Sequence, residues 1–174
     1  MEFTASHPHG HEMTDGTSHT LLRTIAELFR DGPPNGWLLG WDVDRFANQV
    51  SELSGDGEFE NVTSFDYSFC NSFEVTFRQT SDEFVVLTVR VSFVADYFSM
   101  HWTQYSSSGK HGVVVDDVDF DGAARVAQDI RAFLRSMGYQ EFPTSWDSIA
   151  VPEAVLELSE EPATLSKCLF DDYA

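Results

Sequence analysis

The sequence predicts an α+β fold in which an antiparallel β-meander of about four to five strands has helices packed on one face. Between residues 62 and 118 apolar residues alternate with polar ones, the pattern of strands with one buried face. On either side of this region apolar residues recur at helical spacing. The chain has 174 residues, 42% hydrophobic and 14% aromatic. It is therefore long enough to bury one core and lacks the composition of a disordered protein.

The beginning of the chain is predicted to be separate from the fold. Residues 1–16 show no periodicity and contain Pro, Gly and three alternating histidines, which indicates a flexible N-terminal arm. Residues 17–174 then form a single α+β domain. Its first helix begins at Thr17 or Ser18, since hydroxyl side chains are suited to cap a helix, and ends at the turn residues 32–36. Its apolar stripe consists of Leu21, Leu22, Ile25, Leu28 and Phe29.

A second helix is predicted after Asp42, whose carboxylate can serve as its cap. Phe46, Val50 and Leu53 lie on one stripe of this helix, and the glycines that follow end it.

Five strands are predicted next from the period-two pattern. The first covers residues 64–69, where three aromatic side chains alternate with polar ones, and the following two cover residues 73–78 and 85–93. Short polar connections at residues 70–72 and 79–82 suit hairpins. The fourth strand is predicted at residues 98–105 and the fifth at Val113–Val115. One face of this sheet is apolar and needs a cover.

That cover is predicted to be a helix capped by Asp119 or Asp121 and ended by Gly138. Its stripe contains Val126, Ile130, Phe133, Leu134 and Met137. A final short helix is predicted near residues 163–170.

The net charge of the chain limits the classes of function that it can have. It contains 29 acidic and 10 basic residues, a formal net charge of −19, and self-repulsion of this size destabilises a compact state. The acidic excess is concentrated in residues 1–60 and 111–174, around a nearly neutral sheet region. Without a basic stripe, direct nucleic-acid binding is disfavoured. The charge instead indicates a basic protein partner, a saline environment or selection for solubility.

One local pattern resembles a cation site. Residues 117–122 read D-V-D-F-D-G, which matches the start of a calcium loop. The twelfth position is Gln128 where a bidentate Glu is needed, and a strand precedes the motif where an EF-hand has a helix. We therefore predict no metal and no cofactor, and interpret these acids as favouring the positive end of the following helix.

Enzymatic chemistry has little support in the sequence. His101 could act as a general base oriented by Asp66 or Asp96, but no nucleophile motif accompanies it. Cys70 and Cys168 have no metal or redox spacing and are interpreted as small buried hydrophobes. The four tryptophans could line a pocket or an interface, and core packing explains them equally well. No catalytic residue is predicted.

The C-terminal third gives a family resemblance. Residues 133–146, Val151-Pro152 and residues 156–158, together with the size, acidity and α+β layout, resemble the immunity proteins of bacterial polymorphic toxins. This resemblance implies an antidote that occludes a cognate toxin.

Three hypotheses follow. The first is a non-enzymatic inhibitor that neutralises a basic protein, since an acidic partner associates quickly with a basic one. The second is a phage-type anti-defence protein that mimics nucleic acid, and the third a small enzyme or ligand-binding domain adapted to salt. We expect a cytoplasmic protein without a membrane span, and the sequence leaves homodimer formation open. Predicted partner-binding residues are Asp42, Asp44, Asp116, Asp117, Asp119, Asp121, Glu160, Glu161, Asp171 and Asp172.

Overall fold

The computed structural model describes residues 15–106, 111–159 and 161–172. The helices are α1 (Asp15–Leu28), α2 (Gly36–Leu39), α3 (Ala47–Leu53), α4 (Ala123–Ser136) and α5 (Leu165–Leu169), with a 3₁₀ turn at Thr144–Trp146. The strands are β1 (Glu58–Asn61), β2 (Cys70–Arg78), β3 (Phe84–Ser92), β4 (Tyr97–Tyr105), β5 (Val113–Val115) and β6 (Gln140–Glu141).

The strands form one mostly antiparallel sheet. Its order is β1-β2-β3-β4-β5, and each neighbouring pair is antiparallel, so the chain winds through the sheet as a meander. β6 pairs in parallel with the start of β4, on the same edge that β5 occupies further along. The predicted α+β fold with an antiparallel meander is confirmed.

The first core lies between the sheet and the helices α3 and α4. Alternating side chains of β2, β3 and β4 face these helices, because successive residues of a strand point to opposite faces. α4 contributes a buried stripe at the spacing of an amphipathic helix. The central members of this core are Phe73, Val75, Leu87, Val89, Phe98, Val50, Val126, Ile130 and Leu134.

A second core lies at one end of the opposite sheet face. Cys70 and Tyr97 project from this face and pack against α1, α5 and the connection between β6 and α5. The backbone of the 62–69 segment is held there as well, because Phe69 N–H donates to the Phe170 carbonyl (2.7 Å). Both cysteines are buried, as predicted.

The first predicted strand is wrong. Residues 62–69 form a loop with one isolated bridge, between Ser68 and Asp171, and β1 lies before it at Glu58–Asn61. In a strand the three alternating aromatic side chains would share one face, but here Phe65 and Phe69 are buried while Tyr67 is exposed. The predicted 70–72 turn is part of β2.

The predicted helix caps are also wrong. Gly122, with a φ of +77°, is the cap residue of α4, and no side chain caps that helix. The helix predicted after Asp42 begins only at Ala47. Asp15 and Gly16, assigned to the N-terminal arm, belong to α1, and residues 1–14 lie outside the described residues.

Arg45 links the loop before α3 to the sheet. Its guanidinium donates to Asn71 Oδ1 (2.9 Å), to the Tyr139 hydroxyl (3.0 Å) and to two main-chain carbonyls of β3, at 2.9 and 3.0 Å. The same group lies 3.6 Å from the ring centroid of Phe93. Phe93 stacks on Trp41 with centroids 4.7 Å apart. These contacts fix the segment that follows α2.

Candidate functional site

Helix α2 presents three consecutive large apolar side chains to solvent. The exposed fractions are 52% for Trp37, 86% for Leu38 and 58% for Leu39. The helix has only four residues and is closed at both ends: Asn35 Oδ1 accepts from Leu38 N–H (3.1 Å), and Gly40 takes a left-handed φ of +68°. Such capping stabilises a helix too short to persist alone.

The inner side of α2 is packed firmly. A Cβ at Gly36 would collide with the rings of Trp41 and Phe65, so only glycine fits there. The Trp37 ring meets Phe65 edge to face at 5.0 Å, and its indole N–H donates to Asp66 Oδ1 (3.0 Å). The exposure of the outer side chains is therefore a fixed property of the fold. We call Trp37, Leu38, Leu39 and Tyr67 the α2 surface.

A pocket of about 370 Å³ opens beside the α2 surface. Its lining residues are Pro33, Pro34, Asn35, Phe65, Asp66, Tyr67, Phe69, Glu157 and Asp172. Every charged residue among them is acidic. The pocket exists because the 62–69 loop pairs with the C-terminal segment, where Asp172 N–H donates to the Tyr67 carbonyl (2.9 Å). We call it the Asp172 pocket.

Asp172 is 3% exposed, and its two carboxylate oxygens differ. Oδ2 accepts from the main-chain N–H groups of Glu157 (2.8 Å) and Leu158 (2.7 Å). Oδ1 is buried and has no hydrogen-bond donor among the residues that the structure describes. A buried polar atom without a partner is uncommon in native proteins and needs an explanation.

The electrostatics around α2 are one-sided. Within residues 31–66, which contain α2 and its flanks, Arg45 is the only basic residue. Its guanidinium is engaged by the sheet and Phe93. Asp31, Asp42, Asp44 and Asp66 are exposed, as is Arg30, which directly precedes Asp31. The residues that flank α2 therefore carry a net negative charge.

The predicted partner-binding acids fall into separate places. Asp116, Asp117, Asp119 and Asp121 are exposed on the connection between β5 and α4. Asp117 Oδ1 accepts from Val118 N–H (2.9 Å). No group of three His, Cys, Asp or Glu side chains that could hold a metal ion occurs among the described residues.

Asp42 and Asp44 lie near the other end of α4. Asp42 Oδ1 accepts from Asp44 N–H (2.9 Å) and Asp44 Oδ1 from Asn61 Nδ2 (3.0 Å), so both also shape the loop before α3. That loop meets the last turns of α4, where Phe46 and Phe133 have centroids 5.7 Å apart. Fourteen helical residues span about 21 Å. The two acidic groups therefore do not form one patch.

Two of the C-terminal acids predicted to bind a partner, Asp171 and Asp172, are buried. Asp171 is buried and pairs with Arg90 (3.0 Å), and Asp172 is buried in the pocket described above. Their assignment to an exposed surface is wrong, because the fold supplies each with partners that are distant in sequence. Glu161 is exposed, 3.9 Å from the Lys167 ammonium. Glu160 lies outside the described residues.

His101 lines a separate cleft of about 670 Å³ between the polar sheet face and the C-terminal segment. Arg90, Asp147 and Lys167 also line it, whereas Asp66 and Asp96, the proposed orienting acids, do not. Burial, with a contribution from Arg90, lowers the pKa of His101, and Asp171 opposes this. The carboxylate whose charge acts on His101 is that of Asp171, which pairs with Arg90, and not that of Asp66 or Asp96.

Sequence reasoning missed α2 as an exposed element. The four tryptophans looked equivalent, yet Trp41 stacks on Phe93, Trp102 belongs to the first core and Trp146 packs against the second. Only Trp37 among them is exposed. The sequence did contain one indication of this exposure. Residues 37–39 form an apolar run between the turn residues 32–36 and Gly40, and a segment this short cannot bury every side chain it carries.

Comparison of the chain with protein-family models, with curated proteins and with solved structures gives no match. Within the described residues, no helix combines the length and the apolar character needed to cross a lipid bilayer.

Proposed function

We propose that this protein is a non-enzymatic inhibitor that binds a basic protein through the α2 surface. The observation that carries this proposal is the helix of Trp37, Leu38 and Leu39, held exposed on a packed base with acidic residues around it. Exposed apolar groups rimmed by polar residues mark protein interfaces. Tryptophan and tyrosine are enriched among the residues that dominate binding energy.

The charge supports a basic partner rather than a second copy of the chain. Two molecules that each carry −19 repel one another, and most strongly where acidic surfaces meet. A basic protein is attracted from a distance and then gains the burial of three apolar side chains. The resemblance to immunity proteins implies that this partner is a toxin.

Nucleic-acid mimicry is the weaker alternative for this surface. A mimic needs carboxylates at positions that replace phosphates, whereas exposed leucines have no counterpart in a phosphate backbone. The alternative of a ligand-binding domain is favoured by one observation, the His101 cleft. Its size lies in the range of small-molecule sites.

Site-specific photo-crosslinking in the native host tests the proposal. A photoreactive residue at position 38 should capture one basic protein, whereas the same group at position 113 should not. Val113 is a matched control, since it is apolar and 64% exposed but lies on β5. The purified partner should lose its activity when mixed with equimolar wild-type protein.

Binding kinetics then separate the contribution of the apolar side chains of α2 from that of the surrounding negative charge. Trp37→Ala and Leu38→Ala should accelerate dissociation. Asp31→Lys, which changes an exposed acid near α2 that has no contact with Trp37, should slow association in a salt-dependent way. Capture of an acidic protein, of a second copy, or equally from both positions would contradict the proposal.

A further inference from the structure

The His101 cleft has the features of a small-molecule site, and none of the residues that line it belongs to the α2 surface. We propose that it binds a small organic acid, a single carboxylate group on an apolar body. This site goes beyond the proposed inhibitor function and does not depend on it. Three observations support it: an interruption at the edge of the sheet, a largely buried lysine with a weak ion pair, and an apolar lining.

The cleft lies where the edge of the sheet is interrupted. β5 pairs with residues 102–104 of β4, and β6 pairs with residues 97–98 of the same strand, so residues 99–101 lie between the two pairings. All three of these residues line the cleft, together with Val114 of β5. The volume of about 670 Å³ is in the range of small-molecule sites. The fold therefore leaves a cavity at this edge in place of a continuous strand.

Lys167 lines the cleft and is a largely buried cation with a weak ion pair. Its side chain is only 14% exposed, although lysine is rarely buried without a paired charge. The ammonium donates to Ser159 Oγ (3.0 Å). Its one ion pair among the described residues is to Glu161, at 3.9 Å, and the Glu161 side chain is 83% exposed. A long ion pair to a solvent-exposed carboxylate contributes little, so this ammonium can pair more strongly with a carboxylate that enters the cleft.

The other charges at the cleft are paired or weakened. Arg90 pairs with the buried Asp171 (3.0 Å). Glu141 pairs with two arginines of α4, at 2.9 Å each. Burial raises the pKa of Asp147, which disfavours its negative charge. The positive charge available to a ligand is therefore that of Lys167.

A single carboxylate on an apolar body suits this lining better than other anions. One carboxylate matches one ammonium, whereas a phosphate group carries about −1.5 to −2 charges at pH 7 and would face the acids of the cleft with one available cation. Small-molecule sites combine apolar walls with a few polar groups that orient the ligand. Here the apolar part of the lining consists of Met100, Val114, Phe142 and Phe170.

The test uses the full chain and small probes. Phenylacetate is titrated into ¹⁵N-labelled protein at constant pH and ionic strength, and amide shifts are followed by NMR. We expect saturable shifts at residues 99–101 and at Lys167. Phenylacetamide, the uncharged counterpart, should bind about tenfold more weakly or worse, the loss typical of one charge-assisted hydrogen bond. Acetate, which lacks the apolar body, and phenyl phosphate, which carries more charge, should both bind more weakly than phenylacetate.

Substitutions locate the bound probe. Lys167→Met keeps most of the side-chain length but removes the charge, so phenylacetate affinity should fall by about tenfold or more while phenylacetamide affinity stays the same. If Lys167→Met does not fold, Val114→Asp replaces it as the test, because it adds a negative charge at an exposed residue that lines the cleft and should weaken phenylacetate binding. Val113→Asp is its matched control. Val113 is also exposed, but successive residues of a strand point to opposite faces, so the effect should be much smaller.

His101 gives an independent measurement in the unmodified protein. A carboxylate bound beside the imidazole favours its protonated form, so saturating phenylacetate should raise the pKa of His101, followed through its ring-proton shifts, and phenylacetamide should not. An unchanged pKa of His101 at saturation would overturn the proposal, as would equal binding of phenylacetate and phenylacetamide, equal effects of the two valine substitutions, tighter binding of phenyl phosphate, or the absence of saturable shifts. None of these outcomes involves the α2 surface, so crosslinking from position 38 tests the proposed function separately.

Discussion

Arg45→Met tests whether one guanidinium holds the loop after α2 in place. The substitution keeps most of the side-chain volume but removes four hydrogen bonds, to Asn71, Tyr139 and two carbonyls of β3. It also removes the contact with Phe93. Each acceptor that loses its donor in a half-buried site costs about 1 kcal/mol, so we expect a loss of about 3–5 kcal/mol in the free energy of unfolding.

Urea denaturation followed by circular dichroism measures this loss, with the slope of the transition compared between variants. Arg125→Met is the matched control, because Arg125 is 86% exposed and its Asp129 partner is 3.8 Å away. It should change the free energy of unfolding by less than about 0.5 kcal/mol. Arg45→Lys keeps the charge but cannot reach all four acceptors, so it should fall between the two. A loss below about 1 kcal/mol for Arg45→Met, with an unchanged slope, would refute this reasoning.

Two further predictions concern titratable groups. Burial, to which Asp172 adds, raises the pKa of Cys168 to about 12, and burial also raises the pKa of Cys70. Both thiols should therefore react with iodoacetamide only after unfolding, which mass spectrometry with and without denaturant would show. Rapid labelling of the native protein would contradict this prediction. Burial and Arg90 lower the pKa of His101, so this side chain takes up a proton near pH 6.5 in the unfolded chain but stays neutral to lower pH in the folded chain. The free energy of unfolding should therefore fall as the pH decreases below about 6.5. His101→Gln should lose less stability than wild type between about pH 7 and pH 5, and parallel curves for the two proteins would count against the shift.

The sequence predicted an element correctly wherever its residue pattern has a single structural explanation. β5 occupies the predicted residues, and α4 buries Val126, Ile130 and Leu134 of the predicted stripe, because alternation and helical spacing follow directly from local geometry. Met137, also predicted in this stripe, lies just after the helix and is 52% exposed. Residues 64–69 alternate just as clearly, yet they form a loop. Phe65 and Phe69 there pack into tertiary structure that no local pattern encodes.

The candidate site was less predictable for a related reason. A pair of aspartates near the C-terminus is normally exposed, and only the long-range meeting of Asp171 with Arg90, and of Asp172 with distant main-chain amides, makes their burial favourable. Net charge led to the expectation of a basic partner. The proposed position of the interface depends on which of the four tryptophans the fold leaves exposed.

The short helix α2 has a consequence for how such a protein could change over time. Its caps and its glycine contact hold the backbone, while Leu38 and Leu39 contribute little to the buried cores. Substitutions at these two positions are therefore nearly free of a folding penalty. If α2 binds the partner as proposed, selection can change binding specificity at these two positions while the stability of the fold stays the same.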